Sequence, residues 1–169
     1  VTPDLITTAK GLTNGAVPMG AVFASRAIHD AFMHGPEGAI ELFHGYTYSG
    51  HPLACAAALA TLDVYAEENL FEKAIELGPY WEQAVHSLKG LPNVIDIRNF
   101  GLIGAVELAA RPEGVGQRGY EVFNRAFFEQ DLMVRCTGDV IALSPPLILD
   151  KGHIDRIFDR LAATIRATA

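Results

Sequence analysis

Hydrophobic residues change their spacing several times along the chain, and each change predicts an element. Residues 5–8, Leu-Ile-Thr-Thr, are a short β-prone run. They lead into a glycine-rich stretch, residues 11–20, broken by Asn14-Gly15 and Pro18, so a strand should open into a loop there. A second short apolar run covers residues 21–24, and Ser25 is placed to cap a helix that buries Ile28, Ala31 and Phe32. Residues 35–52 are dense in Gly, Pro, His and Tyr and read as loop. Pro52 suits the first position of a helix over residues 53–66, with Cys55, Leu59 and Leu62 on one face.

Helical spacing continues over residues 70–88 through Phe71, Ala74, Ile75, Trp81, Val85 and Leu88, and Gly78-Pro79 should kink or restart that helix. Beyond Pro92 the period shortens to two. Strands are expected over 94–98, 104–108, 132–135 and 140–143, with a helix around 120–130 between the second and third. Asp150 should cap a last helix whose Ile154, Ile157, Phe158, Leu161 and Ile165 form one apolar stripe. The later part therefore reads as an α+β lobe joined to the earlier part by the helix over 70–88.

Composition narrows the classes. The 169 residues, 50% hydrophobic and 20% charged, describe a globular chain able to bury one or two modest cores. A formal charge of −7 with no Lys/Arg run argues against nucleic acid as a partner. Cys55 and Cys136 are far apart, and neither they nor the six histidines show metal-ligand spacing, so no metal site or disulfide framework is expected and a reducing cytoplasm fits. No apolar run approaches the ~18 to 20 residues needed to cross a bilayer, and no signal peptide is visible, so a soluble protein is expected. The chain opens on Val1 and enters strand and loop chemistry within ten residues, which suggests that an N-terminal portion is missing.

Three residues could carry chemistry. Lys10 sits at a strand's mouth with glycine next to it, a setting in which an amine can be desolvated, its pKa lowered and its nucleophilicity toward an aldehyde raised. A solvated strand-end lysine fits the local sequence as well. In residues 44–52, the Thr47 hydroxyl, the amides through Gly50 and the positive end of the Pro52 helix would together suit a phosphate, although a plain helix-entry turn also fits. Arg135 closes the 132–135 run before the turn Cys136-Thr137-Gly138-Asp139. It could offer a bidentate fork to a carboxylate, or be a surface arginine in a hairpin. Arg98 and Glu107 read as structural.

The string Pro3-Asp4-Leu5-Ile6-Thr7-Thr8-Ala9-Lys10-Gly11, followed by Gly15 and Pro18-Met19-Gly20-Ala21, resembles the Schiff-base segment of class III aminotransferases, which use pyridoxal 5'-phosphate (PLP). The run of glycines usual after the lysine is replaced by Leu12-Thr13-Asn14-Gly15, which is similar to the ω-amino acid (β-alanine):pyruvate branch. The resemblance implies that Lys10 is the catalytic residue and binds the cofactor. It implies that Thr47, in Thr47-Tyr48-Ser49-Gly50-His51-Pro52, hydrogen-bonds the PLP phosphate of the neighbouring subunit, and hence a homodimer or higher oligomer. Arg135 would bind the substrate carboxylate. The implied fold is the α/β PLP-dependent transferase fold type I, with residues 1–66 the C-terminal end of the PLP-binding large domain and 67–169 the linking helix and small domain.

The implied function is transamination of an ω-amino acid such as β-alanine, or of an amine, with pyruvate. An aminomutase or decarboxylase of the same class would share Lys10 and Thr47, whereas Arg135 and Asn14 favour transamination. A phosphate- or nucleotide-binding module on a Rossmann-like sheet would need a GxGxxG after a strand, and the sequence has none. The resemblance covers only the C-terminal part of the family's length, so the fragment alone is expected to be inactive and could serve as a dimerisation piece.

Overall fold

A computed structural model describes residues 2–36, 38–39 and 42–169. The chain divides into two units, Val1–Asn69 and Leu70–Ala169.

In the first unit, strand β1 (Leu5–Ala9) pairs antiparallel with β2 (Gly20–Ala24), in register from Leu5 opposite Ala24 to Ala9 opposite Gly20. A single 3-10 turn, Lys10–Leu12, follows β1 directly. Helix α1 (Arg26–Phe32) begins after Ser25, whose backbone is extended as a cap's should be, but the serine hydroxyl makes no capping bond. The expected burial of Ile28, Ala31 and Phe32 does not occur: α1 has no buried residue. Seven residues make about two turns, and the periodicity that marks an apolar face does not supply anything to cover it.

Helix α2 (Pro52–Glu67) starts on the proline, as the sequence predicts. Its buried side is another face than the expected Cys55, Leu59 and Leu62, for Leu59 and Leu62 are exposed. Ala54 and Ala58 are buried, and Thr61 and Tyr65 continue their face with partial burial. That face lies about 100° round the helix from the predicted one. It is the face from which Tyr65 reaches the Lys10–Leu12 turn.

The second unit is a four-stranded antiparallel sheet with three helices. The strands β3 (Val94–Phe100), β4 (Ile103–Leu108), β5 (Arg135–Thr137) and β6 (Val140–Leu143) lie in the order β3-β4-β6-β5. Alternation is clearest on β4 and β6, where Val106, Leu108, Ile141 and Leu143 are buried between less buried neighbours. Against these side chains pack α3 (Leu70–His86), α4 (Gln117–Gln130) and α5 (Lys151–Ala167). Trp81 of α3 is fully buried and meets Phe158 of α5 edge-on, with ring centroids 5.0 Å apart. Ile154, Phe158, Leu161 and Ile165 are buried and Ile157 is partly so, which is the predicted stripe of α5.

Asp150 caps α5 by accepting from the His153 amide at 2.7 Å, in a capping box that His153 completes by accepting from the Asp150 amide. Gly78-Pro79 neither ends nor restarts α3, which runs through it. Pro79 is exposed, and so is Ile75, whose carbonyl loses its helical donor, so water can satisfy that group while the other side of the helix stays anchored by Trp81 and Val85.

Candidate functional site

Lys10 follows the last residue of β1 with φ +53°, in the left-handed region that a side chain ordinarily avoids. Such a conformation costs on the order of 1–2 kcal/mol and persists where its surroundings hold it. Here the holding groups are visible. The Tyr65 hydroxyl donates to the Gly11 carbonyl at 2.7 Å. The Thr13 amide donates to the Lys10 carbonyl at 3.3 Å, and Thr13, fully buried, donates its hydroxyl to the Val17 carbonyl at 2.5 Å. The Lys10 side chain is exposed, and among the described residues no carboxylate pairs with it. The desolvation expected of it is therefore not provided by the residues around it here. Lys10 is also the sole lysine before Lys73 in the sequence.

Thr47 lies in a turn in which the Ser49 amide donates to the Tyr46 carbonyl at 3.0 Å and the His51 amide to the Tyr48 carbonyl at 3.3 Å. Gly50, at φ +69°, brings the chain round to His51 and the start of α2. The first turn of α2 holds no acidic residue, and its N-terminal amides carry the positive end of the helix dipole. Thr47 is exposed. His44 and Tyr46 meet edge-to-face in the same loop at 5.0 Å.

Arg135 belongs to the second unit, and here the structure corrects the sequence reading. The strand does not cover 132–135 and end at the arginine; β5 begins at Arg135. Leu132 and Val134 are buried in strand-like alternation, but they lie outside the ladder. The hairpin pairs Thr137 with Val140, Cys136 with Ile141 and Arg135 with Ala142, and in that register Pro145, which offers no N–H, comes opposite Leu132. Arg135 is thus the last paired residue. Its side chain is exposed, and among the described residues no carboxylate neutralises it.

Two residues that sequence reasoning did not single out organise these positions. Tyr65 is one. The other is Asp139 in the hairpin turn, buried to 7% exposure, with Oδ2 accepting from the Gly116 amide at 2.7 Å and Oδ1 from the Gly119 amide at 2.9 Å. Next to it the Cys136 thiol donates to the Gly138 carbonyl at 3.1 Å. Burial pushes that thiol's pKa up, and the charge of Asp139 adds to the effect. An aspartate in a turn between strands ahead of no helix is a weak signal; only the packing of α4 on the hairpin makes it a cap. Arg98, read as structural, pairs with Glu107 at 2.7 Å and with Asp96 on the exposed surface of β3 and β4.

Residues 1–165 match the family model of class III aminotransferases. An ω-aminotransferase of Caulobacter vibrioides is 57% identical over 161 residues, covering 95% of this chain and 36% of that protein. A β-alanine–pyruvate aminotransferase of Pseudomonas aeruginosa is 46% identical over 171 residues, covering 100% of this chain and 38% of that protein. The chain thus spans little more than a third of the length of these relatives. Among solved structures, an (S)-enantioselective ω-transaminase from Thermomicrobium roseum superposes with a TM-score of 0.90 at 34% identity, over 99% of this chain and 38% of the other. A PLP-bound amine transaminase from an uncultivated Pseudomonas species gives 0.90 at 32% identity, over 100% and 39%. The mixed α/β fold is that of the corresponding part of these PLP-dependent transaminases, and the chain belongs to the class III aminotransferase family.

Proposed function

We propose that the protein carrying these residues transaminates an ω-amino acid such as β-alanine, or an amine, with pyruvate, using PLP held by Lys10. The observation that carries this reading is the setting of Lys10, an exposed amine on a left-handed backbone position pinned by Tyr65 and Thr13, in a chain of this family. The donor set suits the cofactor: an amine for its aldehyde, and a threonine hydroxyl ahead of a helix N-terminus free of acidic residues for its phosphate.

When bound, PLP supplies the electron sink that lets a proton leave the substrate carbon beside the reacting nitrogen. The Nζ of Lys10 takes that proton and returns it, acting as base and then as acid. Thr47 donates its hydroxyl to the phosphate, and by family resemblance it serves the neighbouring subunit, so the working unit is a homodimer or a multiple of one. Arg135 would grip the carboxylate of β-alanine or pyruvate with its planar fork. No described helix is long and apolar enough to cross a membrane, and two free cysteines accord with a cytoplasmic location.

Borohydride reduction of the holoenzyme followed by peptide mapping tests the assignment. The label is expected on Lys10, and its recovery on Lys73, Lys89 or Lys151 would overturn it.

A further inference from the structure

The hairpin that carries Arg135 is anchored ahead of the arginine by buried Leu132 and Val134, but Arg135 itself is exposed and is the last residue of the ladder. Strand β5 has three residues, pairs on one side only, with β6, and its ladder ends at Arg135 opposite Ala142. The second anchor is at the other end, where the turn meets α4 and β4.

There the packing is close. Both carboxylate oxygens of buried Asp139 are used, each by one amide at the start of α4, and among the described residues no cation shares the charge. The main-chain carbonyl of Asp139 accepts from the Leu108 amide at 2.9 Å, which ties the same residue to the end of β4. Residue 119 has no room for a side chain: a Cβ there would overlap the Gly138 carbonyl oxygen and come within 2.8 Å of the Asp139 Cα and 3.0 Å of the Cys136 Sγ. Gly138 itself sits at φ +57°. A two-residue turn and three ladder pairs form a short lever, so a shift at residues 138–139 is carried to Arg135.

We infer that Asp139 and Gly119 are positioning residues that aim Arg135 at a carboxylate, and thereby set the preference for carboxylate-bearing substrates over simple amines. This rests on the proposed role of Arg135. A bidentate fork needs both of its N–H groups in line with both oxygens, so a displacement of the order of an ångström removes its advantage, while a substrate without a carboxylate has nothing to lose.

The test compares Arg135→Ala, Asp139→Ala, Asp139→Asn and Gly119→Ala in the holoenzyme. It measures half-reaction KM and kcat for β-alanine and for butylamine, and the calorimetric affinity for propionate, an unreactive carboxylate. Asp139→Ala and Gly119→Ala are expected to raise KM about tenfold more for β-alanine than for butylamine, with a matching loss of propionate affinity. Asp139→Asn keeps the size and one acceptor but turns an N–H toward a helix amide, so its effect falls between wild type and alanine. Its near-isosteric shape also keeps the question open to measurement if the alanine variants unfold. If Arg135→Ala discriminates between the two donors but the Asp139 and Gly119 variants affect both alike, the positioning role is wrong and the reading of Arg135 stands. If Arg135→Ala does not discriminate, the carboxylate role of Arg135 falls and the positioning role falls with it.

Discussion

The hydroxyl of Tyr65, near the end of α2, donates to the backbone carbonyl of Gly11 at 2.7 Å, although 54 residues of chain separate the two. The bond ties a helix to the peptide that follows Lys10, and so holds the one residue of the turn whose backbone is left-handed. Tyr65→Phe removes the donor and leaves the ring in place. It is expected to weaken PLP binding about fivefold, in keeping with about 1 kcal/mol for one neutral hydrogen bond, and to slow borohydride labelling of Lys10. Cofactor titration by absorbance checks it; unchanged affinity would make Tyr65 a packing residue only.

On its proposed role, Thr47→Ala should cost cofactor retention more than Tyr65→Phe does, because it would remove a hydrogen bond to a charged phosphate directly. The expected loss is about 1.5–3 kcal/mol. Dialysis of the variant beside wild type, with absorbance of the retained cofactor as readout, decides it; equal retention removes Thr47 from the phosphate site.

The second unit should fail first at Trp81. Its indole is fully buried between α3 and α5 and packs edge-on to Phe158, so Trp81→Ala opens a large cavity. A loss of about 3–5 kcal/mol is expected from denaturant unfolding. A loss below about 1 kcal/mol would mean that the interface between these helices collapses to fill the space.

Asp150 gives α5 a pH-dependent start. The His153 amide above all, aided by the charge and ring of His153 and by Arg156 and opposed by desolvation, holds its carboxyl below the usual carboxylate range. A lowered folded pKa means stability that is present above the unfolded value and lost as pH falls through the folded one. Asp150→Asn can still accept from the helix amide but cannot titrate, so its melting temperature should fall less than that of wild type as pH drops below about 4. Thermal scans at descending pH check this, and parallel curves for the two proteins would contradict it.

Much of the fold was legible because the chain announces its periods. The alternation on β4 and β6, the stripe on α5, the cap at Asp150 and the helix start at Pro52 are local features and appear where the sequence puts them. What escaped depends on residues far away. Nothing in 132–135 says that the ladder stops at Arg135, because its extent depends on β6 across the hairpin, whose last partner for β5 is Ala142. The buried face of α2 is chosen by a turn more than forty residues earlier. The continuity of α3 through Pro79 depends on which side of the helix meets water. The candidate site residues Lys10, Thr47 and Arg135 rest on resemblance to a family rather than on spacing. Asp139 and Tyr65, which carry no motif, became visible only through their hydrogen bonds.

The brevity of β5 has a consequence of another kind. A sheet in the order β3-β4-β6-β5 exposes two outer strands, and an outer strand with free N–H and C=O groups is a template on which a second chain can add. On one side only the three residues of β5 are offered. On the other, the ladder of β3 shifts register between Val94 and Asp96, and the strand carries Asp96 and Arg98 on its surface. The same short strand that leaves an arginine at its tip therefore also guards the sheet against growth into aggregates.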